Sequence, residues 1–304
     1  LKLGPIGCGS NRRGKVNLMK KEKFPKKIFC PIDGSVSSLM AQETVVEVAK
    51  KTGADVTVLH VIPPLLGIAL QLDYSVPTAT MKDILNFFEQ KADKILSDAE
   101  SFFGKEGVTI DVKKVIDSHP ANSIVELSER DYDLIVIGAR GEHEKDPYSL
   151  GSITIKVTRH ASCPILIVKK TTALSNMLVY LDGSENSVRA ADYAAKLAEK
   201  LDSKITLLCV QLRRLFDLSP ESAEDMCERI FSKALDAIGR RELRISKAIE
   251  FGHPSNIIAE TAKKGKHDLI VLGRKGLGTI KRFLLGDVAE SVSYKAECSV
   301  LMVP

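Results

Sequence analysis

The sequence predicts an α/β protein made of two copies of one doubly wound unit, each a five-stranded parallel sheet with helices on both faces. Three observations carry this. Short apolar runs of strand length alternate with longer segments of helical period along most of the chain. The order of those segments in residues 27–168 returns in residues 177–303. In each copy a glycine-rich stretch follows a buried apolar run: residues 133–152 (DLIVIGARGEHEKDPYSLGS) and residues 268–287 (DLIVLGRKGLGTIKRFLLGD).

In the first copy, residues 27–33 (KIFCPID) read as a strand ended by Gly34 and Ser35. Ser37 or Ser38 is placed to cap a helix whose apolar residues Ala41, Val45, Val48 and Ala49 fall on one face, and Gly53 closes it. Residues 56–62 form a second strand. Pro63, Pro64 and Gly67 open a long apolar connection (63–80) that would act as a lid, a subunit contact or a packed loop. A strongly patterned helix follows from about Thr80 until Gly104 and Gly107 stop it; its pairs Phe87, Phe88, Phe102 and Phe103 read as core or partner surface. Residues 109–116 give a third strand and Pro120 opens a helix. Residues 134–138 give the fourth strand. A helix from about Leu150 to His160 leads to a fifth strand, residues 164–168.

The second copy follows the same plan. Asp33 matches Asp182 and Val61 matches Val210, both 149 positions apart. His119-Pro120 matches His253-Pro254, and Gly138 matches Gly273 at an offset of 135, so the second copy is shorter by fourteen residues between its second and third strands. Strands alternating with helices imply right-handed crossovers and a parallel sheet. In such sheets ligands sit beyond the carboxyl ends of the strands. Asp33, Val61, the turn at Ser118, His119 and Pro120, and the Gly138 loop all follow strand ends, so they share one edge. A glycine-rich loop entering a helix there suits phosphate, because backbone N–H groups can approach the anion and the helix dipole favours it.

Composition narrows the function classes. The chain has 304 residues, 44% hydrophobic and 27% charged, and no Trp, which is ordinary for a globular protein with two domains. No apolar run reaches membrane-spanning length and the first residues lack an apolar signal core, so the expected location is cytoplasmic, without a membrane partner. Cys8, Cys30, Cys163, Cys209, Cys227 and Cys298 form no C-x-x-C pair, and four lie in or beside strand-like runs; buried free thiols are expected, with no metal site. Residues 1–27 carry nine Lys or Arg and one Glu, a local +8 that leaves about −3 for the rest of a chain whose net charge is +5. The basicity belongs to a tail. Without interleaved aromatics or a nucleic-acid motif it argues against nucleic acid as partner. The expected division is a flexible basic tail (1–25), a first domain (26–171) and a second domain (175–304).

The duplicated unit, its strand-end Asp followed by Gly-Ser, its Cys-led last strand and its spaced glycines resemble the universal stress protein family, in tandem. That family's ATP-binding pattern is Gly, two residues, Gly, nine residues, Gly, then Ser or Thr. Gly138, Gly141, Gly151 and Ser152 fit it in full; Gly273, Gly276 and Gly286 fit its glycines, with Asp287 at the hydroxyl position. The resemblance implies strand order 3-2-1-4-5 in each domain and adenine nucleotide at the shared edge. It implies Asp33 near adenine or ribose, the Val61 backbone on the adenine edge, and Gly138, Gly141, Gly151 and Ser152 on ribose and phosphates. It also implies pairing between the fifth strands, residues 163–168 against 299–303, as an internal pseudo-dimer, with homo-oligomers of such chains as a further expectation.

The two loops have opposite faults. The first contains Glu142, Glu144 and Asp146, and one such charge about 4 Å from a phosphate charge costs ~1 kcal/mol in water and ~4 kcal/mol at an effective dielectric of about 20. Arg140, Lys145 or a bound Mg²⁺ would offset this. The second supplies Arg274, Lys275, Lys281 and Arg282, but Asp287 accepts hydrogen bonds and donates none, and as an N-cap it would occupy the N–H groups that phosphate needs. The first half is therefore the favoured site, with Asp182, Val210, Gly273, Gly276 and Gly286 a weaker second. His119 and His253 have no nucleophile or metal cluster beside them and read as turn residues, so no catalytic residue is assigned. The reading is a regulatory module binding ATP or AMP; a nucleotide-free scaffold of the same fold and a slow ATP hydrolase are the alternatives.

Overall fold

The computed structural model describes residues 24–62, 78–129, 132–141, 149–171, 173–211, 220–276 and 285–304. The basic tail up to residue 23, most of the apolar insert, the acidic interior of the first loop and the Lys281-Arg282 stretch lie outside the described residues. The first half comprises β1 (Lys27–Pro31), α1 (Val36–Thr52), β2 (Asp55–Ile62), α2 (Thr78–Lys105), β3 (Ile110–Ile116), α3 (Pro120–Ser128), β4 (Leu134–Gly138), α4 (Ser152–His160) and β5 (Ile165–Val168). The second comprises β6 (Asn176–Leu181), α5 (Glu185–Leu201), β7 (Lys204–Gln211), α6 (Pro220–Ile238), β8 (Arg244–Phe251), α7 (Pro254–Lys264), β9 (Leu269–Gly273), α8 (Asp287–Lys295) and β10 (Ser299–Val303).

All ten strands join one sheet in the order β3-β2-β1-β4-β5-β10-β9-β6-β7-β8. Each half has the 3-2-1-4-5 order, parallel within itself, and the halves meet where β5 and β10 pair antiparallel, with Leu166 opposite Leu301. The strands are apolar at nearly every central position because both faces are covered. In β4, Leu134 and Val136 enter one core while Ile135 and Ile137 enter the other. The first core lies under α1, α2, α5 and α6, and the second under α3, α4, α7 and α8. Both run through the seam, so the halves share their interiors. The outer strands carry charge on exposed positions (Asp111 and Lys114 on β3; Arg244, Lys247 and Glu250 on β8), which discourages further strand addition.

Polar ties lock the seam. Lys169, just after β5, donates to the carbonyls of Tyr294 and Ala296 (3.3 and 2.6 Å) at the end of α8. Arg274, just after β9, donates from Nη1 to the carbonyls of Ala161 and Thr158 at the end of α4. Each half thus lends a cation to the negative end of the other half's helix. Arg159 pairs with Glu290 at 2.6 Å, and Tyr193 Oη donates to the Asp133 carbonyl at 3.0 Å.

Candidate functional site

The loop before α1 builds the floor of the site. The cap is Ser35, not Ser37 or Ser38: its Oγ accepts from the Ser38 N–H at 3.1 Å. Asp33 Oδ1 accepts from the Ser35 N–H at 2.9 Å. One carboxylate oxygen therefore holds the turn. The other, Oδ2, faces Gly141, where an added Cβ would lie 3.1 Å away. Gly141 does not take a positive φ; what favours glycine is the close pass of the Asp33 carboxylate, which any Cβ would push back by a few tenths of an ångström. Gly138 has a different reason. A Cβ there would sit 2.7 Å from the Ser37 carbonyl carbon and oxygen, so this glycine lets the end of β4 approach α1. The same seam is closed by Ser37, which accepts from the Arg140 N–H at 3.2 Å.

Gly151 is the N-cap of α4, its N–H donating to the Ala139 carbonyl at 2.8 Å, and Ser152 is the first helical residue. Gly151 has no side chain with which to cap the helix, and the first turn holds no acidic residue. Thr154 pins that turn to the sheet by donating to the Gly138 carbonyl at 2.9 Å. Asp33, Val61, Gly138, Arg140, Gly141, Gly151 and Ser152 all line one cavity of about 500 Å³, as bounded by the described residues. Its apolar wall is formed by Ile32, Leu59, Ile124 and Ile137, with Phe88, Lys91 and Ile95 contributed by α2. The aromatic pairs divide: Phe103 is buried, whereas Phe87 is exposed and Phe88 faces the cavity.

The second half repeats the floor with less room. Asp182 Oδ1 accepts from the Ser184 N–H and Oγ (3.0 and 2.6 Å), and an added Cβ at Gly276 would meet Asp182 Oδ2 at 2.6 Å. Asp182, Gly273, Lys275, Gly276, Gly286 and Asp287 line a cavity of about 210 Å³; Val210 is buried nearby and is not in its lining. Tyr180 stands at the position of Pro31 and occupies the wall; burial and the neighbouring Asp182 raise its phenol's pKa, so it stays neutral.

Two expectations about this half are corrected. Asp287 is not the N-cap: Gly286 is, and no side chain caps α8, so Asp287 acts through its charge in the first turn, beside Glu290. Arg274 does not serve an anion site here. Its guanidinium crosses the seam to α4, and burial lowers its pKa. Ala289 stands where Thr154 stands, so the pin from α4 to the sheet has no counterpart at α8.

His119 and His253 stand at the N-caps of α3 and α7 without capping through their side chains; their Nδ1 atoms contact Ser118 Oγ (2.8 Å) and Ser255 Oγ (3.1 Å), and neither lines either of these two cavities. Asp117 holds the first of these turns by accepting from Ser123 Oγ and the His119 N–H, which lowers its pKa. Among the described residues no group of three or more His, Cys, Asp or Glu could hold a metal ion, and no helix is long and apolar enough to cross a membrane. The carboxylates considered for Mg²⁺, Glu142, Glu144 and Asp146, lie outside the described residues.

Sequence reading missed the contribution of α2 and α3 to the first cavity. The helical period of α2 reveals an apolar face, but not that Phe88, Lys91 and Ile95 reach the carboxyl edge of the sheet. It also missed the cross-seam duty of Lys169 and Arg274; Arg274, beside Gly273, reads as a ligand-binding group.

The universal stress protein family model matches the chain twice, over residues 25–169 and 174–304. The universal stress protein MJ0531 of Methanocaldococcus jannaschii is 31% identical over 152 residues, which is 49% of this chain and 85% of that protein. The universal stress protein YxiE of Bacillus subtilis is 31% identical over 151 residues, 47% of this chain and 98% of its own. A solved universal stress protein from Archaeoglobus fulgidus superposes with a TM-score of 0.69 at 22% identity, covering 91% of this chain and 98% of that one, a likeness of fold. The chain belongs to the universal stress protein family and carries two of its domains in tandem.

Proposed function

From that membership and the site's geometry, we propose that the chain is a cytoplasmic stress-response module that binds one adenine nucleotide, ATP or AMP, in its first half. It does no chemistry on the nucleotide; occupancy alters shape or partner choice. The observation that carries the reading is the convergence of seven residues, from Asp33 to Ser152, on a cavity of about 500 Å³ at the glycine-capped N-terminus of α4. That volume is within the range of small-ligand sites, and its apolar wall with a few converging polar groups is the usual lining of one. The base would lie against the apolar wall, the ribose near Asp33, and the phosphates at the α4 N-terminus with Arg140 beside them. The second half is proposed as the poorer site, on its smaller cavity and the charge of Asp287. Further association of tandem chains is part of the same proposal.

Calorimetric titration with ATP, ADP and AMP, with and without Mg²⁺, tests this on the wild type, Gly141→Val and Asp287→Ser. One site per chain is expected. Gly141→Val, which drives a side chain against the Asp33 carboxylate, should weaken binding at least a hundredfold; Asp287→Ser should keep it and gain a weak second site. Absence of binding by all three nucleotides would overturn the reading in favour of a scaffold. Steady hydrolysis lost on changing Asp33 or Ser152 would overturn the non-catalytic part.

A further inference from the structure

The second half holds a thiol pair that the first lacks. Cys209, near the end of β7, and Cys227, on α6, lie with their sulfurs 2.7 Å apart, eighteen positions apart in the chain. Both are buried, and Gln211 Nε2 bridges them, 3.6 Å from Cys209 Sγ and 3.1 Å from Cys227 Sγ. In the first half the matching positions are His60 and Ala92. The match on the helix is fixed structurally, because Ile95 of α2 covers Gly34 just as Ile230 of α6 covers Gly183. Chance burial of one cysteine is common, but apposition of two across a strand and a helix is a geometry that oxidation can complete. The sulfurs need to close by only about 0.7 Å to reach bonding distance.

We propose that Cys209 and Cys227 are an oxidation site peculiar to the second domain, at which a hydroperoxide converts the two thiols to a disulfide that pins α6 to β7. One thiol, as thiolate, attacks the peroxide oxygen, becoming a sulfenic acid while the other peroxide oxygen leaves and takes up a proton. The second sulfur then attacks the sulfenic sulfur and water leaves. In sum two thiols and one hydroperoxide give one disulfide, one water and one alcohol, or two waters when the oxidant is hydrogen peroxide. Both sulfurs are sealed from solvent, so the reaction runs through opening of α6 from the sheet and is slow in the closed protein. Burial also raises the pKa of Cys209, which leaves little thiolate until that opening occurs. Once formed, the bond holds the end of β7 beside Asp182 and Tyr180, the wall of the second cavity.

The test treats the whole chain with hydrogen peroxide, alkylates remaining thiols in denaturant, digests it and identifies the peptides by mass. A peptide pair joined through Cys209 and Cys227, lighter by two hydrogens than the reduced pair, is expected, with Cys30 recovered alkylated. Mild urea should speed its formation severalfold, and the oxidised chain should melt several degrees higher than the reduced one. Cys227→Ala, which installs the residue the first half already uses, should fold, lose the cross-link and lose the rise in melting temperature. Recovery of Cys209 and Cys227 both alkylated, under peroxide that oxidises the partly exposed Cys298, would overturn the proposal. So would an unchanged rise in Cys227→Ala.

Discussion

The two carboxyl-edge cavities are built on one backbone plan and diverge in what fills it. In both, a strand-end aspartate holds its turn with one oxygen and presses the other against a glycine, Asp33 on Gly141 and Asp182 on Gly276. In both, a glycine stands at the N-cap of the following helix and offers no capping side chain. The differences lie in the walls. Pro31 gives way to Tyr180, Ser152 to Asp287 and Thr154 to Ala289, and the cavity falls from about 500 to about 210 Å³. The backbone plan is thus shared where the cavity lining is not. A glycine pattern retained in a duplicated half is weak testimony to a retained ligand, because Gly138 and Gly273 are demanded by strand–helix packing alone.

That distinction can be broken at the glycines, where the largest effect is expected. Gly138→Ala and Gly273→Ala should both destabilise the fold by about 1–3 kcal/mol in urea titration, since each Cβ meets α1 or α5 backbone at 2.7 to 2.9 Å. If Gly273→Ala were neutral while Gly138→Ala abolished nucleotide binding without loss of stability, these glycines would be ligand residues after all.

The seam comes next. Arg274→Met should cost about 1.5–3 kcal/mol, because charge-assisted bonds to the α4 carbonyls are lost. It should leave nucleotide affinity nearly unchanged, which separates a structural cation from a phosphate-binding one. Lys169 sharpens the same point through pH. Burial lowers its pKa from 10.5 to about 8, with Arg140 and Lys170 adding to the effect. Between about pH 8 and 10.5 the unfolded chain holds a proton that the folded chain has released. This group's contribution to stability therefore rises with pH across that window and is lost as pH falls through about 8, with a slope of up to ~1.4 kcal/mol per pH unit for one proton. Lys169→Met should flatten that part of the urea-unfolding profile.

The smallest effect concerns the ends of α1 and α5. Gly53 ends α1 at φ 68°, and Asp202 ends α5 in the same left-handed region at φ 57°. Asp202→Gly should stabilise the chain by up to about 1 kcal/mol in thermal melts, since only glycine enters that region without steric cost. Its exposed contact with Arg244 offsets little of the gain.

Most of the fold was legible because it rests on period and repeat. Residues 134–138 and 269–273 have to be buried strands, and offsets of 149 and 135 give the order of elements twice. The seam between residues 163–168 and 299–303 came from the family resemblance, and the structure places those strands side by side. The site was less legible where side chains choose between neighbours. Nothing local in Arg-Lys-Gly tells that Arg274 turns to a helix end across the seam while Lys275 stays at the cavity. The cap of α1 was misplaced for a similar reason: Ser35, Ser37 and Ser38 all have the right chemistry, and only the backbone decides which is Ncap.

The antiparallel pairing of β5 with β10 has a consequence for how the chain can change. Two separate copies meeting along such an edge would have to stay alike, since each meets its own image and can part and exchange. Joined in one polypeptide, the halves face each other at a fixed and high effective concentration, whatever the amount of protein in solution. A loss suffered by one half is then never segregated from its intact neighbour. The second half can surrender a cavity, or acquire a thiol pair, while its edge strand still completes the sheet that the first half needs.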